Sequence, residues 1–212
     1  MGEKGRFIVF EGIDGSGKST QLKLLSERLS ASGIECVETL EPTFGMVGGP
    51  LHDILSGKLK ADPRVCAAMF AADRLDHVLN PECGVLRSLS EGKWVLCDRY
   101  YFSSYAYQSV EVPQEWVVAA NSLCADTLRP DITIFIDVSP ETAMERINKN
   151  RGKTEIYENL ERLTAVRRAY FDAFERMKET EKIAVFDGNR DVSEIADEIE
   201  NFVRNSIFFT KR

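Results

Sequence analysis

The sequence holds little that would mark a secreted, membrane-bound or nucleic-acid-binding protein. Its five cysteines, Cys36, Cys66, Cys83, Cys97 and Cys124, are odd in number and widely spaced, with no C-x-x-C pair. A disulfide framework or a structural zinc site is therefore not expected. Cys97 lies inside an apolar run, where a thiol behaves as a small buried hydrophobe. No apolar run is long enough to span a membrane, and the N-terminus carries no signal-peptide pattern. The expected compartment is a reducing cytoplasm, with no membrane partner. Basic residues do not dominate either: 27 Lys and Arg stand against 34 Asp and Glu, for a net charge of −7. A broad electrostatic surface for nucleic acid is not expected on that balance. Any polyanion must be met by a local cluster of cations and backbone N–H groups. Internal repeats, low-complexity tracts and linkers are also missing. A chain of 212 residues with 43% hydrophobic content then suits one domain spanning residues 1–212.

What is present centres on Gly12-Ile13-Asp14-Gly15-Ser16-Gly17-Lys18-Ser19-Thr20. This run fits G-x-x-x-x-G-K-[ST], the phosphate-binding P-loop. Arg6–Glu11 before it reads as a short buried strand. Gln21–Leu29 after it reads as a helix with Leu22, Leu25 and Leu29 on one face. The motif thus sits between a strand and a helix start, where inward N–H groups and the helix N-terminus can hold a polyphosphate. Lys18 is placed to reach the β- and γ-phosphates, and the Ser19 hydroxyl to ligate Mg²⁺.

The rest of the chain repeats a strand–helix pattern. Ile34–Leu40, Trp94–Cys97, Ile132–Val138 and Lys182–Phe186 read as further strands. Helices are expected over Leu51–Leu59, Asp62–Leu79, Pro113–Leu128, from Ser139 onward, over Tyr157–Lys178 and over Val192–Val203. Trp116 is expected on the apolar side of its helix. The pattern predicts an α/β fold, a parallel sheet of five strands with helices on both faces.

Several candidate site residues stand at strand ends, where ligands bind in such sheets. The loop from Glu41 to Pro50 follows the second strand. Asp98-Arg99 closes the third, so Asp98 can hold Mg²⁺ through water and Arg99 can clamp phosphate oxygens. Cys66, Phe70, Arg74 and His77 recur at spacings of four and three and share one helix face. Phe70 and Arg74 can stack on and hydrogen-bond a nucleobase. Alternatively, Phe70 is core and Arg74 pairs with a carboxylate such as Asp73 or Glu82. Ser103, Ser104 and Gln108 offer polar edges and Tyr107 offers bulk; each also fits a satisfied core position. The segment Asn148–Thr154 is basic and hinged by Gly152, the composition of a lid over phosphates.

Taken together, Phe10–Thr20, Glu41-Pro42, Phe70–Arg74, Asp98-Arg99-Tyr100, Ser103-Ser104, Ala106-Tyr107-Gln108, Arg129-Pro130-Asp131 and Arg146 resemble the thymidylate kinase family of P-loop nucleoside monophosphate kinases. The similarity runs from about residue 5 to 204. It implies a P-loop NTPase fold with a small basic lid at about 148–157. It implies ATP as donor and dTMP as acceptor, with Mg²⁺, and commonly a homodimer. In the family, the residue matching Phe70 stacks on thymine and that matching Arg74 donates to its O4. The region of Ser103 and Ser104 contacts the base edge, and the match to Tyr107 crowds the sugar 2′ position. The match to Asp14 lies near the acceptor's sugar and phosphate, and that to Arg99 bridges phosphates. The match to Arg146 packs on adenine, with the turn at Asn189 nearby. Some relatives carry Arg inside the P-loop where this chain has Gly15. The plain-loop variant draws its cation from the lid, for which Arg151, Lys149 and Lys153 are the candidates.

These readings predict phosphoryl transfer from ATP to dTMP for dTTP synthesis. An acceptor phosphate oxygen is already a nucleophile, so no side-chain base is needed. A deoxynucleoside kinase is the nearest alternative; it would need a carboxylate base, for which Glu11 or Asp98 could serve. A nucleotide-dependent switch or ATPase is the alternative from another class.

Overall fold

The computed structural model describes residues 5–150 and 160–208. Five strands form one parallel sheet: β1 (Phe7–Glu11), β2 (Cys36–Leu40), β3 (Trp94–Asp98), β4 (Ile132–Asp137) and β5 (Ile183–Asp187). Their order is β2-β3-β1-β4-β5, so the strand leading into the P-loop is central. Phe10 pairs with Asp98 on one side and Ile134 on the other, which aligns the carboxyl ends of β1, β3 and β4. The α/β class and the five-stranded sheet expected from the sequence are observed.

Alternation along β1 divides the interior. Phe7 and Val9 face one apolar cluster, which includes Tyr101, Phe102, Tyr105, Phe135 and Phe174. Ile8 and Phe10 face the other, built on Leu22, Leu25, Leu29, Ile195 and Ile199. Successive strand residues point to opposite faces, so one buried strand serves two cores. Helix α1 (Lys18–Ala31) and helix α9 (Val192–Phe208) cover the second cluster. Leu22, Leu25 and Leu29 are buried as their spacing predicts.

The remaining helices include α2 (Gly48–Leu55), α3 (Pro63–Leu79), α4 (Val85–Ser90), α5 (Tyr101–Tyr107), α6 (Gln114–Thr127), α7 (Pro140–Asn150) and α8 (Leu160–Met177). Asp62 caps α3 by accepting from the Arg64 N–H at 2.9 Å, with Pro63 in the first turn. Ser139 caps α7 the same way, its Oγ accepting from the Thr142 N–H at 3.1 Å.

Several boundaries differ from the sequence reading. The second strand begins at Cys36, because the Ile34 N–H bonds back to Leu29 O and closes α1. Helix α2 begins three residues before Leu51 and ends at Leu55, ahead of the left-handed Gly57. The short helices α4 and α5 were not expected. Trp116 is 43% exposed rather than core, since its neighbour Val117 takes the inward position. Among the described residues, no helix is long and apolar enough to cross a membrane.

Candidate active site

Two cavities open at the carboxyl edge of the sheet. The P-loop forms the wall of one. Helix α1 begins at Lys18, and its N-cap Gly17 sits at φ 95° with no side-chain cap bond. The first-turn N–H groups are left for a ligand. Gly15, at φ 79°, passes so close to α7 that a Cβ there would lie 2.6 Å from Ala143 O. Residues Asp14 to Gln21 line this cavity with Ile136, Arg146, Ile147 and Gly188. Arg146 is fixed across it, donating to Ser16 O at 3.2 Å and Gly188 O at 2.8 Å. Asn189 is exposed and bonds to Asp187; its neighbour Gly188, not Asn189, lines the cavity.

Lys18 is buried, with its ammonium 3.9 Å from Asp14 Oδ1 and 4.0 Å from Asp98 Oδ1. Burial and the Arg99 cation push its pKa down, partly offset by the two carboxylates. The Ser19 hydroxyl donates to Asp98 Oδ2. Asp98 Oδ1 is buried and accepts no hydrogen bond from any described residue. A hydroxyl and an unfilled carboxylate oxygen side by side are hard oxygen donors of the kind Mg²⁺ takes.

The second cavity is walled by Phe70, Pro42, Leu51, Ile54 and Cys66, with Arg74, Arg99, Tyr107, Gln108 and Arg162 among its polar lining. Asp14 lines both cavities. Phe70 therefore lies at the cavity wall. Arg74 pairs with neither Asp73 nor Glu82. It is buried and held on every side: Nε donates to Glu41 Oε2 at 2.7 Å, Nη1 to Ser104 Oγ at 2.9 Å and to Asn121 Oδ1, and Nη2 to Tyr100 O at 3.1 Å. A guanidinium has five N–H donors. Four are engaged, which leaves one on Nη2. Glu41 Oε1 is 3.0 Å from His77 Nδ1, so α3 fixes this carboxylate from two positions one turn apart. Ser104 is fully buried against Arg74 and does not line the cavity. Gln108 does, and its Oε1 accepts no hydrogen bond from any described residue.

Arg99 adopts φ 74°, the one non-glycine residue with positive φ among those described. Backbone strain of this kind persists where surrounding structure over-determines it. Here Nη2 donates to Asp14 Oδ1 and to Tyr107 Oη at 3.3 Å; Nη1 donates to Gly12 O at 3.3 Å and Ser103 Oγ at 3.0 Å. Burial raises the Asp14 pKa, but Arg99 and Lys18 outweigh it and hold the carboxyl below its ordinary value. Tyr107 Oη also accepts from the Asp14 N–H at 3.0 Å, tying α5 to the P-loop.

Glu11 lines neither cavity. It is fully buried, and burial pushes its pKa up against hydrogen bonds from Ser103, Tyr100 and Tyr170 and the Arg99 cation, which favour the anion. It cannot reach an acceptor as a base from there. Arg151 and Lys153 lie outside the described residues, as do the side chain of Lys149 and most of the lid expected at 148–157. Arg162, Asn121 and Tyr170 were not anticipated; each reads in sequence as an ordinary residue of an amphipathic helix.

A central parallel strand, a P-loop and a following helix define a P-loop NTPase, and the second cavity beside it fits a phosphotransferase with a separate acceptor. The thymidylate kinase family model matches residues 10–199. A thymidylate kinase from Clostridium novyi (strain NT) is 33% identical over 208 residues, covering 95% of this chain and 99% of that protein. A probable thymidylate kinase from Methanocaldococcus jannaschii is 36% identical over 200 residues, with 94% and 96% covered. A thymidylate kinase from Rhodopseudomonas palustris (strain BisB18) is 37% identical over 218 residues, with 98% and 92% covered. The chain belongs to the thymidylate kinase family.

Proposed function

We propose that this chain transfers the γ-phosphoryl of ATP to the 5′-phosphate of dTMP, giving dTDP and ADP for dTTP synthesis. One observation carries the reading: the two cavities share Asp14, with Lys18 on one side and Arg99 on the other. A nucleotide in each would bring two phosphate chains together between these cations. Holding two polyanions in line and neutralising their charge is most of what phosphoryl transfer requires. ATP takes the P-loop cavity, with Gly12 to Thr20 around its phosphates and Arg146 and the turn at Asn189 toward its base. The acceptor takes the cavity walled by Phe70, whose ring suits a stacked pyrimidine, with the last Arg74 donor toward a base carbonyl. Glu41 and Ser104 serve the base indirectly by fixing Arg74. Ser103 and Gln108 lie toward its edge, and Tyr107 crowds the sugar.

Mg²⁺ fits beside Ser19 and Asp98, where the unfilled Asp98 Oδ1 is buried. When bound, it neutralises the phosphate oxygens of ATP. Arg151 is the lid cation proposed for the transferring group, within a lid at about 148–157 of one kinase domain spanning 1–212. The burial of Glu11 argues against its use as a base for a neutral hydroxyl.

The protein is further proposed to work in the cytoplasm as a homodimer, without nucleic acid or membrane. Val65 and Leu79 on α3 and Trp116 and Leu123 on α6 are each at least 43% exposed. They recur at spacings of fourteen and seven, so each pair shares a helix face, and a second copy would cover that apolar surface.

Steady-state ADP production with ATP and Mg²⁺ tests the reading across dTMP, dUMP, dCMP, dGMP, UMP and thymidine. Strong preference for dTMP supports it. Preference for thymidine, or equal ADP release without an acceptor, refutes it.

A further inference from the structure

Glu11 is the last residue of β1, directly before the P-loop, and it is fully buried. Its Oε1 accepts from the Tyr100 N–H at 2.9 Å and the Ser103 N–H at 3.1 Å. Its Oε2 accepts from Ser103 Oγ at 2.6 Å and Tyr170 Oη at 2.8 Å. Each hydroxyl has one proton and two acceptor lone pairs. The two hydroxyl oxygens also lie 2.9 Å apart. The carboxylate is the stronger acceptor, and with both protons drawn to it the lone pairs of Ser103 and Tyr170 are left as acceptors. Arg99 Nη1 lies 3.0 Å from Ser103 Oγ, 3.3 Å from Gly12 O and 3.4 Å from Tyr170 Oη, so its two protons are shared among three acceptors.

We propose that Glu11, Ser103 and Tyr170 form a buried positioning site that sets the Arg99 guanidinium for phosphate. Glu11 orients the two hydroxyls, and the hydroxyls hold Nη1 while Nη2 stays on the cavity side with Asp14. The site also joins three parts of the chain. Glu11 comes from the P-loop strand, Ser103 from α5 and Tyr170 from α8, the helix that follows residues 151–159. A shift of α8 along its axis would move the Tyr170 hydroxyl and, through it, Arg99. The inference rests on the reading of Arg99 as a phosphate-binding residue.

Tyr170→Phe removes one hydroxyl and keeps a ring packed on Phe135 and Phe174. Tyr101→Phe is the control: its hydroxyl donates to Glu181 at 2.8 Å, another buried carboxylate, away from Arg99. Two readouts are taken on the full chain. The first is the ¹⁵N–¹H spectrum of the Arg99 guanidinium, assigned with Arg99→Lys. Wild type and Tyr101→Phe are expected to show separate Nη signals from restrained rotation; Tyr170→Phe and Glu11→Gln are expected to show averaged ones. The second is dTMP phosphorylation. Tyr170→Phe is expected to lower kcat about tenfold with little change in either KM, and to add no further loss in an Arg99→Ala background. Unchanged Arg99 signals in Tyr170→Phe overturn the proposal, whatever the acceptor. So does a kcat loss of the same size with Arg99 removed. Wild-type protein that phosphorylates no dTMP refutes the proposed reaction instead, and the spectrum still decides the positioning role.

Discussion

Arg74 Nε donates to Glu41 Oε2 at 2.7 Å, and both side chains are almost wholly buried. Removing one partner of a buried pair leaves an uncompensated charge, at a cost of about 3–5 kcal/mol. Glu41→Gln is expected to lower stability by roughly 3 kcal/mol in denaturant unfolding. It also frees Arg74 from one of its four holds, so KM for dTMP is expected to rise more than kcat falls.

Of the two cavities that meet at Asp14, Phe70 lines only the second, proposed for the acceptor. Stacking of a base on an aromatic ring contributes about 1–3 kcal/mol. Phe70→Ala is therefore expected to raise KM for dTMP by tenfold or so and to leave KM for ATP unchanged. Separate titrations of the two nucleotides check this.

Lys18 and Arg99 both approach Asp14 Oδ1. Groups aimed at charge that develops in the transition state affect turnover more than ground-state affinity. Lys18→Ala and Arg99→Ala are each expected to lower kcat by about 10²–10³, with smaller changes in KM. Unchanged kcat in either variant would contradict the assigned role.

Asp14 is held below its ordinary value of 3.8 by Arg99 and Lys18 against the effect of its burial. A carboxylate with a lowered folded pKa stabilises the fold fully above its unfolded value, and that contribution is lost as pH falls through the folded value. The stability gap between wild type and Asp14→Asn is expected to be constant near neutrality and to shrink below about pH 4. Thermal unfolding from pH 2 to 7 measures it.

Much of the fold is legible because its strands are short apolar runs and its longer helices carry caps and periodic faces. Residues 132–136 are an unbroken buried run and cannot be mistaken for a surface element. Helix α5 was missed for the converse reason: Tyr101 to Ala106 are all buried, so no amphipathic period exists to detect. Helix α4 is short, and its N-cap Gly84 offers no side-chain signal. At the site, the P-loop and Asp98-Arg99 stand out because a phosphate-binding motif and a charged pair each follow a buried apolar run, at the end of a strand. The hold on Arg74 does not, because Glu41 and Asn121 are 33 and 47 positions away. Tyr170 reads as one more aromatic in an apolar stripe; only its place beside Glu11 gives its hydroxyl a role.

The central claim is that a phosphoryl group passes directly between the two cavities that meet at Asp14. Incubation with ATP labelled in its γ-phosphate, in the presence of Mg²⁺ and dTMP, tests this most directly. The expected result is label in the β-phosphate of dTDP, in amounts equal to the ADP formed. Label released as inorganic phosphate at the same rate without dTMP would contradict the account.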